Sequence, residues 1–244
     1  YSQIVQSPVA RKTILVGGTN GKGSTIEFLK NFLLSAGYKI GSYTSPHLLE
    51  FNERIKINDK SVEDKKIIRS FERIDKLKKK TRLTYFDYAT LAAFDIFSEE
   101  ELDFAILEIG IGGKYDPVNL INSDLSIITN IELDHEKWLG SSLEDIGDQK
   151  AAILKKGKLA ILGSEEMPNS VMTKATEICS SHFQLNKDFF VHEDKTHWSY
   201  SFSEKDCNLD LLSNGSLNND AAASALTAVS YTHLRAHETR GNLV

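Results

Sequence analysis

Residues 13–24 run Thr-Ile-Leu-Val-Gly-Gly-Thr-Asn-Gly-Lys-Gly-Ser, an apolar stretch that enters a glycine-rich turn holding one lysine. Behind it, Ile26, Leu29, Phe32, Leu33 and Ala36 recur at helical spacing until Gly37, which predicts a helix ending there. A buried strand, a tight turn and an amphipathic helix in that order constrain the chain strongly. Backbone N–H groups at such a turn and at the helix N-terminus converge on one point, where the helix dipole also favours an anion. The turn is therefore expected to cradle phosphates through Thr19, Asn20, Gly21, Lys22, Gly23 and Ser24. Lys22 adds a point charge and Ser24 a hydroxyl suited to Mg²⁺. The loop is shorter than GxxxxGK[ST], because Val16 stands where that pattern needs its first glycine and Gly23 follows the lysine.

The rest of the chain alternates strand and helix patterns. Strands are predicted at residues 39–43, 104–109, 125–129 and 159–162, and helices at 61–79, 86–97, 143–154 and 219–229. That order predicts an α/β fold, a largely parallel sheet flanked by helices. Residues 189–212 alternate more like a small antiparallel hairpin. Ligands of such sheets sit beyond the carboxyl ends of the strands. The phosphate loop, Ser45, Glu108 and His135 all end or follow predicted strands, so they can share one crevice.

Composition excludes several alternatives. Hydrophobic residues make up 41% and charged residues 26% of the 244, as in a globular chain with a core. A formal net charge of −5 gives no general attraction to nucleic acid or anionic lipid, so any anion site is local. No run approaches about 18 uninterrupted apolar residues. Cys179 and Cys207 lack metal-ligand spacing and read as reduced thiols of a cytoplasmic protein. Neither a nucleic-acid nor a membrane partner is expected.

GTNGKGS, YTSPHLLEFNERIKIN, LEIGIGGKYDPVN and ITNIELDHEKWLG, in that order between residues 12 and 160, resemble the signature blocks of the folylpolyglutamate synthase and dihydrofolate synthase family. That family belongs to the wider group of Mur-type ATP-dependent amide ligases. The resemblance implies a Mur-like central domain over residues 1–230 that is incomplete at its N-terminus. It also implies a monomer using ATP and Mg²⁺ at two sites to add L-glutamate to dihydropteroate or a folate polyglutamate through an acyl phosphate. It assigns metal ligation to Ser45, Glu108, His135 and a carbamylated Lys150. Catalysis falls to Lys22, His135 and Lys150, and adenine contacts to Asn218 and Asn219. Thr84, Tyr85, Phe86 and Asp87 fall at positions that line the pterin pocket, and Tyr115, Asp116 and Pro117 at further substrate-binding positions.

The chain departs from the pattern in GIGGKYDPVN, where Lys114, Tyr115, Pro117 and Val118 replace the usual residues while Asp116 and Asn119 remain. Gln149 and Ala152 depart near Lys150. Residues 231–244 resemble no family segment and lack a sustained apolar period, so they are expected to be a foreign tail. The second, glutamate-binding domain is expected to be absent and the chain inactive alone. A cell-wall Mur ligase and a nucleotide-binding module without turnover are the competing readings.

Overall fold

In a computed structural model the described residues are 8–193, 197–205, 207–212 and 218–238. Their elements run β1 (Lys12–Gly17), α1 (Lys22–Ser35), β2 (Ile40–Tyr43), β3 (Ile55–Ile57), β4 (Lys60–Ser61), α2 (Asp64–Leu77), α3 (Tyr85–Ser98) and β5 (Phe104–Glu108). Then follow β6 (Leu125–Ile128), α4 (Glu136–Leu139), α5 (Leu143–Ala151), β7 (Leu159–Leu162), α6 (Asn169–Ile178) and β8 (Ser181–Gln184). β9 (Phe189–Glu193), β10 (His197–Phe202), β11 (Cys207–Leu212) and α7 (Asn219–Glu238) complete the chain.

Eight strands form one sheet in the order β4-β3-β2-β5-β1-β6-β7-β8, parallel from β2 to β8, with β3 and β4 added antiparallel at one edge. The two-residue alternation of side chains explains the layers. Ile14, Val16, Ile106, Ile127 and Ile161 face α1 and α7, together with Trp198, Tyr200 and Phe202 of the small sheet. Leu15, Leu107, Ile128 and Leu162 face the other way, into a core with Phe94, Phe97, Ile146 and Val171 from α3, α5 and α6. Burial on both faces is why these strands read as continuous apolar runs. The connection leaving β1 runs to β2 on one side and that leaving neighbouring β6 runs to β7 on the other, which opens a crevice at the carboxyl ends of these two strands.

The structure corrects several boundaries. Ser61, expected to open a helix, pairs instead with Lys56 of β3, next to Lys60 opposite Ile57, and α2 starts at Asp64. That pairing closes a tight edge meander which helical periodicity cannot register. The expected hairpin is a three-stranded antiparallel sheet, β11-β10-β9, whose middle strand buries alternate residues Trp198, Tyr200 and Phe202. α5 ends at Ala151, three residues short of the expectation. α7 runs nine residues past Val229 to Glu238, and Tyr231 packs its ring 5.5 Å from Phe183. Residues 239–244 of the expected foreign tail lie outside the described residues.

Candidate active site

The phosphate loop leaves β1 through Gly18, whose φ of +139° is open to glycine and strained for other residues. A Cβ there would lie 1.9 Å from Thr129 Oγ1 and 3.0 Å from the Thr129 amide nitrogen. Gly21, at φ +82°, caps α1 in the left-handed region, and Lys22 is the first helical residue. The loop is held from β6. Thr19 N–H donates to Asn130 O at 3.0 Å, and Asn20 N–H donates to Asn130 Oδ1 at 2.8 Å. Thr129 Oγ1 donates to Asn20 O at 2.6 Å. The Glu132 carboxylate accepts from both the Asn20 and Asn130 side-chain amides. Lys22 Nζ lies over the loop, donating to Gly18 O and Thr19 O at 3.2 and 3.0 Å. These carbonyls keep the ammonium at the mouth of the cradle, and Ser24 is exposed in the first turn of the helix.

Lys150 is 3% exposed. It is therefore no ordinary solvated helix lysine. Its Nζ donates to Thr19 Oγ1 at 3.0 Å, which ties α5 to the phosphate loop. Burial, with help from the nearby charge of Lys22, lowers its pKa to about 8, while Asp134 and Glu132 oppose the shift. Between pH 8 and 10.5 the unfolded chain therefore keeps a proton that the folded chain has lost. Stability is expected to rise with pH across that window, by about 2–3 kcal/mol in total. Urea unfolding in CO₂-free buffer checks this. Lys150→Met should flatten the rise, and an unchanged slope in that variant would assign it to another group.

Glu108 ends β5 beside Val16 of β1 and is 6% exposed. Its Oε2 accepts the Ser45 N–H at 2.8 Å. Burial raises its pKa, and the Ser45 amide and the charges of Lys22 and Arg54 pull it partly back. The structure thus brings Ser45 and Glu108 together and places Lys150 against the same loop. His135 is different. It caps the short α4 in a left-handed conformation, is exposed, and sets Nε2 3.6 Å from Asp134 Oδ2. Among the described residues no three His, Cys, Asp or Glu side chains gather as a metal cluster. The Ser45–Glu108 pair offers hard oxygen donors, a set that suits Mg²⁺, an ion that keeps several waters.

The remaining candidates divide by role. Thr84 and Asp87 form a reciprocal capping box at the start of α3, with Asp87 Oδ2 accepting from Thr84 N–H and Oγ1 at 2.7 and 2.8 Å. Helix capping thus accounts for both residue types. Phe86 is half-buried, its ring 6.2 Å from that of Tyr43, and Tyr85 is exposed. Asp116 is buried, accepts the Gly110, Ile111 and Val118 N–H groups, and is pushed by burial to a pKa of about 6. Pro117 opens the short 3₁₀ turn after it, and Tyr115 projects into solvent. Asn218 borders a cleft with Asn20, Gly21, Thr129, Asn130, Gly163, Asp220 and Ser224 beside the phosphate loop. Asn219 is the first residue of α7 behind it.

Sequence reasoning missed Thr129, Asn130, Glu132 and Arg54. The first three stand in ITNIELDHEKWLG, but their hydrogen bonds to the loop span more than 100 residues. Arg54 stands in SPHLLEFNERI, and no local pattern shows that it is buried.

A phosphate cradle at the topological switch of a parallel sheet, beside a buried carboxylate and a buried lysine, defines the nucleotide domain of a Mur-type ligase. The Mur ligase middle domain model matches residues 16–227, and the chain belongs to that family. Within it, the chain is similar to the dihydrofolate synthase/folylpolyglutamate synthase of Buchnera aphidicola subsp. Schizaphis graminum, 44% identical over 77% of this chain and 45% of that protein. Escherichia coli FolC in complex with DHPP and ADP superposes with a TM-score of 0.87 at 35% identity, covering 91% of this chain and 53% of that one. A bifunctional folylpolyglutamate synthase/dihydrofolate synthase with Mn, AMPPNP and L-glutamate bound gives 0.84 at 36%, covering 92% and 54%. The chain spans about half the length of these relatives. No described helix is long and apolar enough to cross a membrane.

Proposed function

We propose that this chain is the nucleotide-binding part of a cytoplasmic, monomeric ligase that uses ATP to join L-glutamate to a pterin-bearing acceptor, dihydropteroate or a folate polyglutamate. The observation that carries the reading is the convergence of the phosphate loop, Glu108 and Lys150 at one end of the sheet. The relatives' bound ADP, AMPPNP, Mn, DHPP and L-glutamate support the same set of reactants.

A carboxylate is a poor electrophile, so amide formation requires its activation, here by transfer of a phosphoryl group to give an acyl phosphate that the amine of glutamate attacks. Lys22 and the amides of residues 19–24 hold the β- and γ-phosphates and stabilise the charge that develops on them. Ser45 and Glu108 would hold one Mg²⁺, and a carbamylated Lys150 with His135 would hold a second. The bound metal supplies Lewis-acid polarisation of phosphate oxygens. A lysine with its pKa lowered to about 8 is partly unprotonated near neutral pH. That is the form that captures CO₂, so Lys150 is suited to become a carbamate and present oxygen to the metal. Phe86 offers a face for the heterocycle, and Asp116 a carboxylate beside it.

The test is phosphate release by an intact enzyme built on this chain, with ATP, L-glutamate and dihydropteroate omitted in turn. Release that needs all three supports the reading. Release independent of glutamate would sink the ligase assignment. Release with a muramyl-peptide acceptor in place of the pterin would move the chain to the cell-wall ligases.

A further inference from the structure

Buried cations normally stand beside carboxylates, because removing a charge from water without a counter-charge is costly. Lys30, 2% exposed, is paired with Glu27 and Asp59 at 2.7 and 2.6 Å. Arg73 is paired with the buried Asp95 at 2.8 Å. Lys150, held by the Thr19 hydroxyl at the phosphate loop, and Arg54 break the pattern. Arg54 is 7% exposed and forms no ion pair among the described residues.

What surrounds Arg54 orients it without neutralising it. Its Nε donates to His47 Nδ1 at 2.8 Å. The guanidinium carbon lies 5.9 Å from the Phe51 ring centroid and 5.5 Å from that of Tyr85. These rings face each other edge-on at 6.0 Å, so the guanidinium sits in an aromatic corner. Its charge is felt at Glu108, which also feels Lys22. Glu108 thus feels two cations, one at the phosphate loop and one at the aromatic corner. Once a divalent cation takes up the charge of Glu108, Arg54 has no counter-charge left.

We propose that Arg54 binds the reacting carboxylate of the acceptor. This rests on the reading of the site as an ATP-dependent ligase with a pterin-bearing acceptor. A guanidinium fork matches a carboxylate with two parallel hydrogen bonds, and its fixed plane holds the group in one orientation. With Nε occupied by His47 and the Tyr43 hydroxyl also in hydrogen-bond reach of the side chain, the remaining terminal N–H groups are the donors left for the ligand. The aromatic corner accommodates the flat part of the acceptor, and the carboxylate beside Arg54 lies on the Glu108 side, towards the phosphates held by Lys22. The ligand class is therefore a planar aromatic acid, and the residue selects the charged carboxylate over its neutral analogues.

The experiment is a ligand-by-variant comparison on the 244-residue chain. Binding of 7,8-dihydropteroate and of its carboxamide is measured by fluorescence titration for the unaltered chain, Arg54→Lys and Arg54→Gln, with ADP binding and thermal unfolding measured in parallel. The unaltered chain should prefer the carboxylate by roughly 10-fold or more, as expected for a charge-assisted hydrogen-bonded pair. Arg54→Gln should abolish the preference, Arg54→Lys should keep part of it, and ADP binding should stay unchanged in both. A preference that survives in Arg54→Gln, or its absence from the unaltered chain, overturns the proposal while leaving the ligase reading intact. So does a loss of ADP binding in the folded variant, which would place Arg54 at the nucleotide. Failure of the unaltered chain to bind either compound overturns the acceptor reading and this inference together. Should Arg54→Gln not fold, the carboxylate-against-carboxamide comparison in the unaltered chain and in Arg54→Lys still decides.

Discussion

Gly18→Ala is expected to abolish ADP binding and to destabilise the domain by about 3 kcal/mol or more. Two costs combine. At φ +139° an alanine is strained, by about 1–3 kcal/mol for such a conformation. The new methyl would also stand 1.9 Å from Thr129 Oγ1 and 3.0 Å from the Thr129 amide, and overpacking of this kind adds about 1–3 kcal/mol. Relief requires β1 and the loop to move away from β6, which breaks the Thr129–Asn20 and Asn20–Asn130 hydrogen bonds that shape the cradle. Thermal unfolding and an ADP titration report the two effects separately. An alanine variant that melts with the parent and binds ADP equally well would show that Thr129 does not brace the loop.

Lys22→Ala and Glu108→Ala, introduced into a complete enzyme carrying this domain, are each expected to lower kcat by roughly 10²-fold or more. The fold should survive, since among the described residues the Lys22 side chain hydrogen-bonds only loop carbonyls and that of Glu108 only the Ser45 amide. The two variants should differ in origin. Lys22→Ala removes a charge at the phosphates, whereas Glu108→Ala removes the carboxylate proposed to hold Mg²⁺, so only the latter should shift the Mg²⁺ dependence. Circular dichroism checks the fold, and single-turnover phosphate transfer checks the step. Near-normal kcat for either variant at saturating ATP and Mg²⁺ would remove that residue from the site.

Much of the fold is legible in the sequence because its signals are local. β1, β5 and β7 are continuous apolar runs, and the helix after the glycine turn shows its buried face in Ile26, Leu29 and Leu33. The small sheet is less legible because its strongest alternation, Trp198, Tyr200 and Phe202, is confined to β10. α6 and β8 went unread because their buried residues are few, Val171 and Ala175 in the helix and Phe183 and Gln184 in the strand.

The site divides in the same way. The sequence by itself determined the strand–glycine turn–helix unit and the position of Glu108 at a strand end. Both follow from residue types within a dozen positions of each other, where backbone geometry and polarity allow few alternatives. Tertiary structure decided which of the candidates meet. Lys150 reaches Thr19 across 131 residues, and Asn130 and Glu132 brace a loop more than 100 residues earlier. Arg54 is buried without an anion because α3 brings Tyr85 against the 3₁₀ turn Phe51–Arg54 that carries it. Burial and charge balance depend on what the rest of the chain packs around a side chain. No pattern in its own neighbourhood encodes that for Lys150, which the fold buries against the phosphate loop with its pKa lowered by that burial.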